Sequence, residues 1–163
     1  LQGLGQGAQP ILSYNYGAKN VDRVRGTFRL LLKVSVGYAV ILWLCVELFP
    51  QIFVSMFTSD AALLAFSKTA LRVYMAAMFM FGIQIACQMA FTSFGKAKAS
   101  IAVAVTRKFI LLLPLIYLLP HILTGNKTNA VYMAEPIADF LAVSFTTVLF
   151  TFQFRKVLKE LEG

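Results

Sequence analysis

The chain has 163 residues, of which 59% are hydrophobic and 13% charged, against about 45–50% apolar and about 25% charged in an ordinary soluble domain; its mean hydropathy is +0.74. Several uncharged runs approach the roughly 20 residues that cross a bilayer, which excludes a soluble helical core with alternating polar faces and predicts an all-α polytopic membrane bundle. The formal charge of +8 sits in clumps between the apolar runs, with no zinc-finger or RNP-like pattern, so it reads as membrane-flanking charge and excludes nucleic acid as the partner.

The opening stretch, Leu1 to Gly17, is greasy but glycine-rich. Gly3, Gly5, Gly7 and Ala8 permit close helix contact, Tyr14 and Tyr16 suit the headgroup level, and Gly17 is placed to end the helix in a left-handed turn. Residues 1–20 are therefore expected to be the cytoplasmic end of a truncated transmembrane helix, anchored by Lys19, Arg23 and Arg25. The next apolar run, about 26–53, predicts a first full span, closed by Pro50 and the polar stretch 58–62, where Ser59 or Asp60 can cap the following helix. A second span is expected over about 70–95, since Val73 to Gly95 contains no charge. The third, about 100–123, carries Arg107 and Lys108 early and Pro114 and Pro120 late. Pro114 is expected to kink it and to leave the carbonyl of Ile110 unpaired. After the polar turn 121–129 the fourth span covers about 130–154 and contains Glu135, Pro136 and Asp139.

Basic residues set the orientation. One set of ends collects Lys19, Arg23, Arg25, Arg29, Lys33, Lys96, Lys98, Arg107, Lys108, Arg155, Lys156 and Lys159; the other has Lys68, Arg72 and Lys127. The excess predicts that the first set, with both chain ends, is cytoplasmic. Asn126 begins a sequon in the short outer turn, a pattern common by chance.

Charged groups inside a bilayer cost roughly 2.5–3.5 kcal/mol each on insertion scales, so they point to function. Asp139 lies about 13 Å from Ala130 at about 1.5 Å per residue, near the middle of a core about 30 Å thick. Glu135 is one turn shallower on the same helix face. Together they form a workable proton or cation site; alternatively Asp139 accepts from neighbouring helices or pairs with a buried base, and Glu135 reaches the outer water. Pro136 frees the carbonyl of Tyr132 beside Glu135, a feature transporters use at ion sites. Gln84, midway between Arg72 and Lys96, and Gln88 one turn later are interhelical glue or a cavity lining. Arg107 and Lys108 are expected to snorkel to the inner headgroups, although Arg107 could answer an acid. Tyr74, Met78 and Phe81 could line a pocket for flat cations or simply pack. Glu47 is expected in outer water. Cys45 and Cys87 are isolated, His121 is expected in an outer loop, and no metal-ligand cluster or catalytic set is apparent, so neither a metal, a cofactor nor an enzyme is expected.

Three stretches carry a resemblance. Gly5 to Arg25, "GQGAQPILSYNYGAKNVDRVR", resembles the segment that closes the eighth helix and opens the ninth in multidrug and toxic compound extrusion transporters, the MATE family. Leu113 to Pro120, "LPLIYLLP", and Ala134 to Phe140, "AEPIADF", are similar to later segments in the same order. The resemblance implies a twelve-helix secondary transporter of two six-helix lobes, of which this chain supplies the end of helix eight and helices nine to twelve, with the N-terminal lobe as its missing partner. It implies export of amphiphilic cations against protons or sodium from a cell membrane, the bacterial inner membrane. Some members carry an acid on the helix corresponding to the second span; here that span has none. A lipid-linked oligosaccharide flippase shares the architecture but is expected to have a more basic cavity. A non-transporting membrane subunit is the third reading.

Overall fold

A computed structural model of the chain describes residues 1–122 and 127–162, apart from the side chains of 127 and 129. Among the described residues every regular element is a helix. Four stretches are long and apolar enough to cross a membrane: Val21–Leu48, Ala61–Ser93, Ala97–Ile122 and Ala130–Glu162. The sequon at Asn126 and the centre of the polar turn lie outside the described residues.

Helix α1 (Gln2–Gly17) and helix α2 (Val21–Leu48) meet at a tight corner. Lys19 takes the left-handed conformation there, with φ of 52°. The amide of Lys19 bonds to the Tyr16 carbonyl and that of Asn20 to the Asn15 carbonyl, a Schellman ending. The Asn20 side chain then accepts from the Arg23 amide at 3.1 Å and starts α2. Glycine preference places the turn at Gly17; the chain turns two residues later because Asn20 must also cap the next helix. Among the glycines of α1, Gly5 faces the side chain of Met89, whereas a Cβ at Gly3 or Gly7 would meet nothing within 4 Å.

The first span differs from the expected 26–53 run. It stops at Leu48, and Pro50 opens a separate short helix, α3 (Pro50–Ser55), because proline clashes with the preceding turn and Phe49 leaves helical geometry. Arg72 donates through Nε and Nη2 to the carbonyl of Glu47, at 3.1 and 2.9 Å, covering a carbonyl that the helix end leaves open. Its guanidinium also lies 3.9 Å from the Glu47 carboxylate, whose side chain is 23% exposed. Glu47 is thus partly covered rather than freely solvated.

Helix α4 (Ala61–Met75) is capped by Asp60, which accepts from the amides of Ala62 and Leu63 at 2.8 and 2.9 Å. The uncharged second run is not one helix. It breaks after Met75, passes through a 3₁₀ turn at Met78–Met80, and resumes as α5 (Phe81–Ser93). No proline or charge marks the break. Gly82 brings α5 so close to α2 that a Cβ there would meet the Ser35 carbonyl oxygen and stand 2.8 Å from the Val36 Cα. The axis of α5 is set by that contact with α2, whereas α4 packs chiefly on the last helix, which α5 also touches. Helix α5 ends in a second Schellman turn, with Gly95 at φ 67° and amide bonds from Gly95 to Thr92 and from Lys96 to Phe91. Around Gly95 there is open space for a side chain, so only backbone strain opposes one. Gly95→Ala is therefore expected to destabilise the protein by about 1–2 kcal/mol, read as a lower thermal midpoint in detergent.

The third span comprises α6 (Ala97–Val105), a π-helical segment (Thr106–Leu112) and α7 (Leu113–Ile122). The expected break at Pro114 is taken up one turn earlier, where the wider winding lets the Leu113 amide bond back to Lys108. His121 belongs to the last turn of α7, its ring Nδ1 2.8 Å from the Tyr117 carbonyl. Helix α8 (Lys127–Glu162) runs unbroken through Pro136.

The core lies toward the end of the bundle that bears Lys19, Lys96 and Arg155. Leu12, Val24, Phe28, Leu31, Ala90, Phe91 and Val157 are buried there. Phe150 of α8 stacks on Phe28 at 4.6 Å, Phe154 meets Phe28 tilted at 5.0 Å, and Phe91 meets Phe150 edge-on at 5.1 Å, arrangements that add to area burial. The third span is the least embedded: Val103 is its one buried residue among those described.

Candidate functional site

Helix α8 carries Glu135 and Asp139 at i,i+4, and the fold turns that face inward. Arg107, the second residue of the π segment, meets both. Its Nε donates to Asp139 Oδ1 at 2.5 Å and its Nη2 to Glu135 Oε1 at 3.2 Å. The side chains of Arg107, Glu135 and Asp139 are 15%, 13% and 8% exposed. The guanidinium also lies over the ring of Phe81, 5.0 Å from its centroid, where the negative face of the ring favours a cation.

Depth counted from opposite ends agrees. Arg107 is ten residues beyond Ala97 and Asp139 nine beyond Ala130, about 15 Å and about 13 Å at about 1.5 Å per residue. Two helices entering from opposite faces of a core about 30 Å thick therefore bring these groups to the same level. Two expectations are corrected here. Arg107 does not snorkel, since a carboxylate pair lies within reach and the headgroups do not, whereas the adjacent Lys108 is exposed. Glu135 does not reach outer water, because Arg107 draws it into the bundle.

One base between two acids leaves a formal charge of −1 in a nearly dry place. A site so charged holds a cation or a proton in preference to an anion. Among the described residues no group of three or more His, Cys, Asp and Glu could hold a metal ion.

The other candidates fall around this centre. Tyr74, with Tyr132 one turn above Glu135, lines a cavity of about 530 Å³ together with Phe53, Phe57, Phe66 and Met75, within the size range of small-molecule sites. Met78 lies in the 3₁₀ turn that joins Tyr74 to Phe81. Gln84 is 4% exposed and its Oε1 has no hydrogen-bond partner among the described residues, so that oxygen does not glue helices there. Gln88 is half-buried, with its carbonyl accepting from Thr92 Oγ1 at 3.0 Å. Sequence reasoning offers Arg107 as the partner of an acid only as the second choice after snorkelling, although its depth is a usable signal: about 15 Å exceeds what an arginine side chain can climb to the headgroups.

Four helices long and apolar enough to cross a membrane, with a buried charge centre between two of them, define a polytopic membrane bundle. The MatE family profile matches residues 1–118, and the chain belongs to this family. It is similar in structure to the MATE multidrug transporter DinF-BH, solved in complex with a ligand, with a TM-score of 0.86 and 34% identity over 96% of this chain and 34% of that one. An inward-facing multidrug resistance MATE transporter of the MOP superfamily shares the fold with a TM-score of 0.86 at 15% identity, over 95% of this chain and 36% of that one. An outward-facing one does so with a TM-score of 0.83 at 16% identity, over 95% and 35%. The chain thus spans about a third of the length of the solved transporters it matches. It matches no curated protein sequence.

Proposed function

We propose that the chain supplies the end of helix eight and helices nine to twelve of a secondary active exporter, which moves amphiphilic organic cations against protons or sodium. The observation that carries this reading is the mid-membrane acid pair, Glu135 and Asp139, balanced by a single Arg107. An acid pair that exchanges a proton or metal cation for an organic cation couples the two fluxes, because the same negative charge cannot stabilise both at once. The cavity lined by Tyr74 and Tyr132 would take the apolar body of the substrate, with Met78, Phe81, Gln84 and Gln88 along its route inward. Two buried acids to one base favour cationic cargo over the anionic headgroups that a lipid-linked oligosaccharide flippase handles. The basic residues around Lys19, Lys96 and Arg155 would face the cytoplasm of a bacterial inner membrane, with the C-terminus on that side.

Reconstitution of the whole transporter in vesicles tests the proposal. Efflux of a cationic dye is expected to follow an imposed proton or sodium gradient and to stop when the gradient is collapsed. Dye movement indifferent to both gradients contradicts it and favours the flippase or the non-transporting subunit.

A further inference from the structure

Arg107 bridges the two carboxylates, and the helix that carries its ring partner holds a further acceptor one turn on. The guanidinium stands over Phe81. Gln84 is three residues further along α5, on the same helix face as Phe81, with Cβ atoms of such pairs about 5–6 Å apart. Its amide oxygen is buried, 4% exposed as a residue, and accepts no hydrogen bond from the described residues. A buried acceptor without a donor costs stability in this state and calls for a role elsewhere. It also lies on the side of Phe81 that faces the start of α6, the direction in which helical side chains naturally lean. The π segment adds to this, since wide helical turns are weakly held and common at functional positions.

We infer that Arg107 is a tethered counter-cation with two seats. With the carboxylates free of cargo it bridges Asp139 and Glu135; when an organic cation takes the carboxylates, the guanidinium moves along the Phe81 ring to the amide oxygen of Gln84. The inference rests on the proposed role of the acid pair. It assigns to Gln84 and Arg107 a part in setting cation affinity, and it explains how the buried guanidinium keeps a hydrogen-bond acceptor in both states.

Equilibrium binding of tetraphenylphosphonium to the purified whole transporter tests it. Gln84→Leu removes the second seat, and the Kd is expected to rise about tenfold, the usual consequence of losing a hydrogen bond to a charged group. The thermal midpoint without cation is not expected to fall, because the substitution deletes an unpaired buried polar atom; a merely structural glutamine would lower it. The double variant Arg107→Gln/Glu135→Gln keeps the formal charge of −1 but has no internal competitor, so it is expected to bind more tightly than wild type and to be insensitive to Gln84→Leu. An unchanged Kd in Gln84→Leu, or an equal change in both backgrounds, overturns the inference. Should the double variant not fold, the pairing of a weakened Kd with an unlowered midpoint in Gln84→Leu decides alone. If Asp139→Asn leaves the Kd unchanged, the acid pair is not the cation site, and the failure lies in that underlying reading.

Discussion

Arg107→Met is expected to lower the stability of the protein by about 3–5 kcal/mol, the cost of removing one partner from a buried ion pair. Asp139 and Glu135, 8% and 13% exposed, would be left facing each other one turn apart with no cation between them. The loss should be large also because Arg107 tethers the least embedded span: apart from Val103, that span buries no described residue. Thermal unfolding in detergent measures it. The triple variant Arg107→Met/Glu135→Gln/Asp139→Asn removes every charge together and is expected to recover most of the stability, since neutral replacement of a buried ionic group is often tolerated. If the single variant melts like wild type, the three groups do not form a buried charge centre.

Gly82→Val is expected to cost about 3 kcal/mol, the upper end of the overpacking range. The obstacle to a side chain at this position is backbone, with the Ser35 carbonyl carbon 2.6 Å and the Val36 Cα 2.8 Å from where a Cβ would stand. Backbone cannot rotate aside, so α2 and α5 would have to part. Gly26→Ala is the matched control. Nothing lies within 4 Å of that position, and an alanine inside a helix is expected to be neutral or to gain up to about 1 kcal/mol. Thermal midpoints of the two variants measured side by side check both, and equal midpoints would mean that α2 and α5 do not cross at Gly82.

The acid pair is legible in the sequence because two facts coincide there: i,i+4 spacing, and a depth set by counting from the start of an apolar run. Asp60 is legible as a helix start for a similar reason, since capping is a local property of a short side chain next to open amides. Arg107 as the partner of the acids is legible only as an alternative to snorkelling. Which residue of the third span meets Asp139 depends on a π segment, and a π turn leaves no strong mark in residue type. Pro114 is the visible irregularity, yet the winding changes before it. The break at Met78–Met80 is hidden for a different reason: the run 73–95 contains no charge and no proline, and the interruption comes from how closely Gly82 seats against Ser35, a tertiary contact that overrides local preference. Glycine preference misplaces the left-handed residue at the first corner. Gly17 looks suitable, but the requirement that Asn20 cap α2 fixes the turn on Lys19.

The Phe28, Phe91, Phe150 and Phe154 cluster is equally invisible in the sequence, since its members come from three helices far apart in the chain. This aromatic stack closes the bundle toward the Lys19 and Lys96 end, while the Tyr74 and Tyr132 cavity lies toward the opposite end. The charge centre therefore stands between a packed half and an open half of the bundle.

The measurement that bears most directly on the account is gradient-driven efflux of a cationic dye from vesicles holding the whole transporter, compared between wild type and Asp139→Asn at matched protein levels. Efflux that follows a proton or sodium gradient in wild type and is lost in Asp139→Asn, with the variant still folded, is the predicted result. Efflux that responds to the gradient equally in both would contradict it and move the coupling away from the Arg107, Glu135 and Asp139 centre.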